Sequence, residues 1–177
     1  GSRAIGYGLG KRAEVSADVI EMQPGRMRFE IAHEGRRTTV ESVLGGAHNA
    51  LNLTGVFAVA RAYGEDPTRV AEALGNYRGV ARRQEWLGAA GGYRVFDDYA
   101  HHPTEIRATL EMFLTLYGPP ITVVFQPHLY SRTRHFAADF AAALRLATRV
   151  FVTEVYAARE TPLPGVSGRM IVDLMVG

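Results

Sequence analysis

Hydrophobic and polar positions change their period along this chain, and the changes mark its parts. Met27, Phe29 and Ile31 alternate with Arg28 and Glu30, the period of two expected of a half-buried strand. His33-Glu34-Gly35 predicts a turn, and Arg37 to Val43 the returning strand. Asp18-Val19-Ile20 reads as an earlier neighbour in the same sheet. From Ala47 the pattern turns helical, with Leu51, Val56, Val59, Ala60 and Tyr63 near one face and Gly64 as the stop. Asp66-Pro67 then restarts the chain, Asp as N-cap and Pro at the first helical position. The second helix carries Val70, Ala73 and Leu74 inward and ends near Gly75-Asn76.

Past residue 84 the rhythm becomes strand and helix in strict turn. Glu85 to Leu87 and Tyr93 to Asp97 flank Ala89-Ala90-Gly91-Gly92, a hairpin signal. Thr104 to Tyr117 predicts a helix with Ile106, Leu110, Phe113 and Leu114 on one face. Ile121 to Phe125 is an apolar strand, Phe136 to Ala147 an amphipathic helix, and Val150 to Glu154 another apolar strand. Such strands spaced by helices predict an α/β fold, with a mostly parallel sheet covered by helices on both faces. The change of rhythm places a domain boundary within residues 78–84. Gly1-Ser2 is compatible with a cloning scar, and Asp173 to Gly177 stops while an apolar helical pattern is still running. Both ends read as cut.

Composition narrows the class. Apolar residues make up 47% and charged residues 21% of 177 residues, the profile of a globular protein with a real core. There is no cysteine, which excludes disulfides and thiolate metal sites and fits a cytoplasmic location. No apolar run approaches the length that spans a bilayer, and no leader pattern opens the chain, so no membrane partner is expected. The formal net charge is +2, spread along the chain without a basic stripe, which argues for anionic small molecules over nucleic acid.

In an open parallel sheet, ligands bind beyond the carboxyl ends of the strands. Three successive strands here end in Asp97-Asp98-Tyr99-Ala100-His101-His102-Pro103-Thr104-Glu105, in Gln126-Pro127-His128-Leu129-Tyr130-Ser131-Arg132-Thr133-Arg134, and in Glu154-Val155-Tyr156-Ala157-Ala158-Arg159-Glu160. Taken singly, Thr104 and Glu105 could merely start a helix, and each histidine could be solvated. Together they gather imidazoles and guanidinium groups at one edge, suited to carboxylate, phosphate or amine recognition. The histidine spacing matches no recognised metal-ligand pattern, so no metal is assigned. A second constellation is Gly46-Ala47-His48-Asn49-Ala50-Leu51-Asn52. Asn49 and Asn52 share a helix face, and Asn49 reads equally as a helix cap or as half of an amide pair for a base or sugar. Arg82 and Arg83, with Glu85, form a third at the boundary.

These segments resemble the Mur ligase family, most closely its alanine-adding branch. The carrying pieces are Gly46-Ala47-His48-Asn49 with Asn52, Arg82-Arg83 with Glu85, Asp97 to Glu105, Phe125 to His128 with Tyr130 to Arg134, and Val155-Tyr156 with Pro164-Gly165-Val166. The resemblance implies that residues 1–80 are the C-terminal part of a central ATP-binding domain and residues 81–177 most of a Rossmann-like C-terminal domain. It implies ATP-dependent ligation of L-alanine to the muramoyl carboxylate of UDP-N-acetylmuramate through an acyl phosphate, with ATP and Mg2+ required. His48, Asn49 and Asn52 match the adenine-contacting positions, Arg83 the arginine that reaches ATP, and Asp98, with Tyr99, the ribose end. Tyr99, His101, His102, His128 and Arg132 match the surface that holds the amino acid. Asp98, His101 and His128 are the residues expected at the chemistry. Leu129 departs from the family, where a basic residue often follows Gln-Pro-His.

No Gly-x-x-x-x-Gly-Lys-Ser/Thr phosphate loop occurs in these residues. The family's magnesium ligands are expected upstream, so the chain reads as a fragment inactive alone. The rival readings are a recycling ligase that attaches a tripeptide to the same sugar, a dinucleotide-dependent oxidoreductase, and a non-catalytic binding module. No G-x-G-x-x-G follows the first strand of the second half, which argues against the oxidoreductase.

Overall fold

A computed structural model describes residues 4–10 and 12–176; Gly1-Ser2 and Gly177, read above as marks of the two cuts, lie outside them. The chain divides into two compact units, Gly1–Val80 and Ala81–Gly177.

The first unit holds a four-stranded sheet in the order β1 (Tyr7–Leu9), β2 (Val15–Gln23), β3 (Arg26–His33), β4 (Arg36–Ser42). β1 and β2 are parallel, and the other pairs are antiparallel. The period-two residues Met27, Phe29 and Ile31 are fully buried on one face of β3. They pack with Val40 of β4 and with two helices, α1 (Ala47–Ala62) and α2 (Pro67–Asn76). Residues 34 and 35 turn between β3 and β4 with both φ values positive, 48° and 72°, the geometry a two-residue hairpin prefers.

α1 ends as its sequence predicts. Gly64, at φ 84°, donates to the Arg61 carbonyl, and Glu65 to that of Ala60, a Schellman motif with glycine in the left-handed position. Its inner face differs from the expectation. Ala50, Leu53, Phe57 and Ala58 are buried, while Val56 and Val59 stand 56% and 59% exposed and Tyr63 85%. The helix is apolar around most of its girth, so period alone does not choose the side; small Ala50 and Ala58 and the large Phe57 do. In α2, Asp66 accepts from the Thr68 and Arg69 amides as an N-cap. Val70 and Leu74 are buried as expected, but Ala71 takes the inward place given to Ala73, which is exposed.

The second unit opens with the hairpin β5 (Glu85–Ala90) and β6 (Tyr93–Asp97), turned at Gly91-Gly92 with φ 57° and 82°. α3 (Pro103–Tyr117), β7 (Thr122–Phe125), α4 (Tyr130–Leu144), β8 (Arg149–Val152) and α5 (Gly168–Val176) follow. β7 and β8 are parallel, as the apolar runs predict. The α/β class is as expected; within it β6 pairs with β5, and the parallel pair is β7 with β8. Between β6 and β7 lies a cavity of about 710 Å³, lined by Arg94, Phe96, Phe113, Tyr117, Val123 and Phe125 among others. α4 also begins six residues before the predicted Phe136, which instead sits at a kink with φ −110° and ψ 17°. Phe125, Phe140, Leu144 and Ile171 form the core with Ile106 and Leu110 of α3. Among the described residues no helix is long and apolar enough to cross a membrane.

Candidate functional site

The carboxyl ends of β6, β7 and β8 in the second unit bring the predicted polar residues together. After β7 the chain stays extended far enough for His128 to bridge Tyr156 in parallel register. Leu129 N–H donates to the Tyr156 carbonyl at 2.9 Å, and Tyr156 N–H to that of Pro127 at 2.8 Å. The His128 ring lies 5.5 Å from that of Tyr156 and 6.1 Å from that of His101. Arg132, in the first turn of α4, reaches the His101 carbonyl at 3.4 Å. His101, His128, Tyr156 and Arg132 thus form one cluster drawn from all three strand ends.

The two clustered imidazoles are held differently. His101 Nδ1 lies 2.9 Å from the Tyr99 carbonyl oxygen, which can only accept, so this nitrogen carries the proton and Nε2 is left as the acceptor of the neutral ring. Glu105 stands 3.7 Å from the same ring. Burial pushes the Glu105 carboxyl up, but the His101 amide, the His101 and Arg83 charges and the His102 amide together bring it below the usual range. His128 Nδ1 is buried without a partner. Its pKa is lowered, first by burial and then by the charges of Arg132, His101 and Arg159. A neutral imidazole beside an arginine fork can accept a proton from an amine while the arginine holds a carboxylate.

Asp98 is more occupied than its sequence position suggests. Its carboxylate accepts from the Ala100 amide at 2.7 Å, the Gln84 amide at 3.0 Å and the Thr109 hydroxyl at 3.3 Å. Arg82 and Gln84, at φ 59° and 51°, fold the preceding loop against it. A carboxylate has about four lone-pair sites, so one direction remains for a ligand hydroxyl. Tyr99 is 44% exposed, with the Arg82 guanidinium 4.9 Å over its ring. Arg83 reaches Glu105 at 3.4 Å.

His102 has a local task. It is the N-cap of α3, its Nδ1 accepting from the Thr104 amide at 3.3 Å, and its ring packs on Phe136 at 4.8 Å. Glu105 completes a capping box, as the helix-start reading of Thr104 and Glu105 expects.

In the first unit, Gly46 is the N-cap of α1 at φ 96°. Asn49 is therefore not the cap; its side-chain amide donates back to the Gly45 carbonyl at 2.7 Å. His48 and Asn49 are half-buried in the first turn, and Asn52 is exposed one turn on. Among the described residues no group of three His, Asp or Glu could hold a metal ion.

Tyr156 and Glu160 gain roles that spacing does not give them. Tyr156 walls His128, and the Glu160 carboxylate accepts from the Ser131 amide at 2.9 Å and from its hydroxyl. The signal was present in their place after the third strand, at the same edge as the histidines.

Comparison with known proteins matches residues 82–177 to the family model described as Mur ligase, glutamate ligase domain. The UDP-N-acetylmuramate–L-alanine ligase of Renibacterium salmoninarum is 45% identical over 174 residues, 98% of this chain and 37% of that protein. That of Mycolicibacterium smegmatis is 49% identical over 148 residues, 82% of this chain and 31% of that protein. The chain therefore spans about two fifths or less of the curated relatives it matches. Among solved structures, the Thermotoga maritima UDP-N-acetylmuramate–alanine ligase superposes with TM-score 0.77 at 31% identity, over 97% of this chain and 37% of that one. A murein peptide ligase from Psychrobacter arcticus shares the fold, with TM-score 0.63 at 22% identity over 96% of this chain and 35% of that one. With a family model that takes in almost all of the second unit, and relatives that align through both units, this chain belongs to the Mur ligase family.

Proposed function

We propose that this chain is the part of a UDP-N-acetylmuramate–L-alanine ligase that contacts the adenosine end of ATP and holds the incoming amino acid. Residues 1–80 are then the C-terminal part of the central ATP-binding domain, and residues 81–177 belong to the C-terminal domain. The observation that carries the reading is the cluster of His101, His128, Tyr156 and Arg132 at the strand ends. Relatives bearing that enzyme's name, aligned over nearly the whole chain, support it.

In this reaction the γ-phosphoryl group of ATP passes to a muramoyl carboxylate oxygen. The amine nitrogen of L-alanine attacks the resulting acyl carbon, the carbon–oxygen bond to phosphate breaks, and inorganic phosphate leaves. The attacking amine must lose a proton. His128, kept neutral by burial and by the charges around it, is the acceptor we assign. His101, its ring held by Nδ1–H donation to the Tyr99 carbonyl, orients the amine, and Arg132 pairs with the alanine carboxylate. Tyr99 and Tyr156 flank the two imidazoles, their rings 5.1 Å from His101 and 5.5 Å from His128. His102 serves this surface by setting the start of α3. By the family resemblance, His48, Asn49 and Asn52 are assigned to adenine, Arg83 to ATP, and Asp98 to a ribose hydroxyl.

Mg2+, when bound, would supply charge neutralisation at the ATP phosphates; the described residues offer no set of ligands for it. The partners are small molecules and the setting is the cytoplasm, where nucleotide-linked precursors are made. The test is phosphate release from ATP by this chain joined to the segments its relatives possess, with UDP-N-acetylmuramate present. L-Alanine should drive release; release driven only by a tripeptide would move the protein to the recycling ligases.

A further inference from the structure

α4 starts without a cap of its own. Leu129 occupies the N-cap position at φ 70° and ψ 133°, and its side chain makes no capping hydrogen bond. A bulky side chain in the left-handed region costs about 1–2 kcal/mol, and the first-turn amides still need acceptors. Glu160, 29 residues further on, supplies them. One carboxylate oxygen accepts from the Ser131 amide at 2.9 Å, and the other from the Ser131 hydroxyl. The Ser131 hydroxyl, then the Ser131 and Tyr130 amides, hold this carboxyl below the usual range. An anion here also complements the positive end of the helix. The loop that carries Glu160 is itself turned tightly, with Ala158 at φ 52° and Glu160 N–H donating to the Ala157 carbonyl at 2.9 Å.

The position of this cap gives it consequence. Ser131 precedes Arg132, which crosses to the His101 carbonyl. On the other side of Leu129 stands His128, bridged to Tyr156. Glu160 therefore ties the loop after β8 to the helix after β7, at the point from which Arg132 and His128 project.

We propose that Glu160 is a positioning residue: as the remote cap of α4 it fixes Arg132 relative to His128 and Tyr156, and so sets the affinity for the amino-acid acceptor. The kinetic half of the proposal rests on the ligase reading above; the structural half does not.

Two measurements test it. In this chain, amide hydrogen exchange is compared for the parent and for Glu160→Ala and Glu160→Gln. The Ser131 amide should exchange about tenfold faster in Glu160→Ala, with Glu160→Gln in between and the β7 amides unchanged. Unchanged exchange at Ser131, or an equal rise throughout β7 and β8, overturns the proposal. In the enzyme at the length of its relatives, Glu160→Ala should raise the KM for L-alanine about tenfold and leave the KM for ATP within about twofold. In an Arg132→Ala background the same change should add almost nothing, because it acts through that arginine. Equal rises in both KM values, or full additivity, overturn it. If the parent enzyme releases no phosphate with L-alanine, the ligase reading fails, and the exchange measurement still decides whether Glu160 is the cap.

Discussion

α3 and α4 both begin at the polar edge of the second unit, yet their starts are fixed by different means. α3 is set locally: His102 caps it, Pro103 takes the first position, and Glu105 folds back to close the box, all within four residues. α4 begins on a left-handed leucine and takes its cap from a loop 29 residues away. A helix start built from neighbours can be lost at the cost of stability alone. One shared with a distant loop couples that loop to the residues it holds, here His128, Arg132 and Tyr156. The comparison teaches that the second half of the site is a tertiary construction, whereas its first half is a property of a short run of sequence.

The largest effect should separate clustered residues from capping ones. His128→Ala and Arg132→Ala are expected to lower kcat/KM for the amino acid about 100-fold or more. His102→Asn, which keeps a cap on α3, should change it less than about threefold. Steady-state phosphate release measures both, and a loss with His102→Asn as large as with His128→Ala would erase the distinction.

Next in size is the local box. Glu105→Ala removes the reciprocal contact to the His101 and His102 amides. It should destabilise the second unit by about 1–2 kcal/mol. Trp86, the single tryptophan, lies in β5 and reports unfolding of that unit by fluorescence in urea. An unchanged midpoint would mean that α3 does not depend on its box.

The opposite sign is expected at α4. Leu129→Gly relieves the left-handed backbone, worth about 1–2 kcal/mol, against a chain-entropy cost of about 0.5–1 kcal/mol. The unfolding free energy reported by Trp86 should rise by up to about 1.5 kcal/mol. A fall would show that the leucine side chain does more in packing than its backbone costs.

The smallest effect is on pH. Burial first, then neighbouring charges, hold the His128 pKa below 6.5 in the folded chain. As pH falls through 6.5 the unfolded chain takes up that proton first, so stability is lost below that pH and is fully present above it. His128→Gln should reduce this slope, and buried His33, held low first by burial and then by the Arg61 charge, carries the remainder. Glu105 and Glu160 lie below 4.5, so their contributions persist through that window and fall only in stronger acid. A slope between pH 7 and 5.5 that is no smaller in His128→Gln than in the parent would contradict the assignment to His128.

The same division explains what could be read from the chain. The period-two run of β3, the Asp66-Pro67 restart, the Gly91-Gly92 hairpin and the capped start of α3 are local, and each is found where the sequence places it. The gathering of His101 and His128 was legible because both follow strands at one edge. The inner face of α1 was not, because apolar residues surround that helix and only its fit to Phe29 and Ile31 selects Phe57 over Val56. The start of α4 was missed because Tyr130 to Arg134 is a polar run whose cap lies 29 residues away. The separation of β6 from β7 depends on what hydrogen-bonds to each edge, which no apolar run records. Asp98 shows what sequence context leaves out: three protein donors use its carboxylate and leave one acceptor direction for a ligand.

The most direct measurement is phosphate release from ATP by this chain at the length of its relatives, with UDP-N-acetylmuramate and either L-alanine or a tripeptide. Release should be driven by L-alanine and lost with His128→Ala. Release that ignores L-alanine, or that survives loss of His128 at the parent rate, would contradict that expectation.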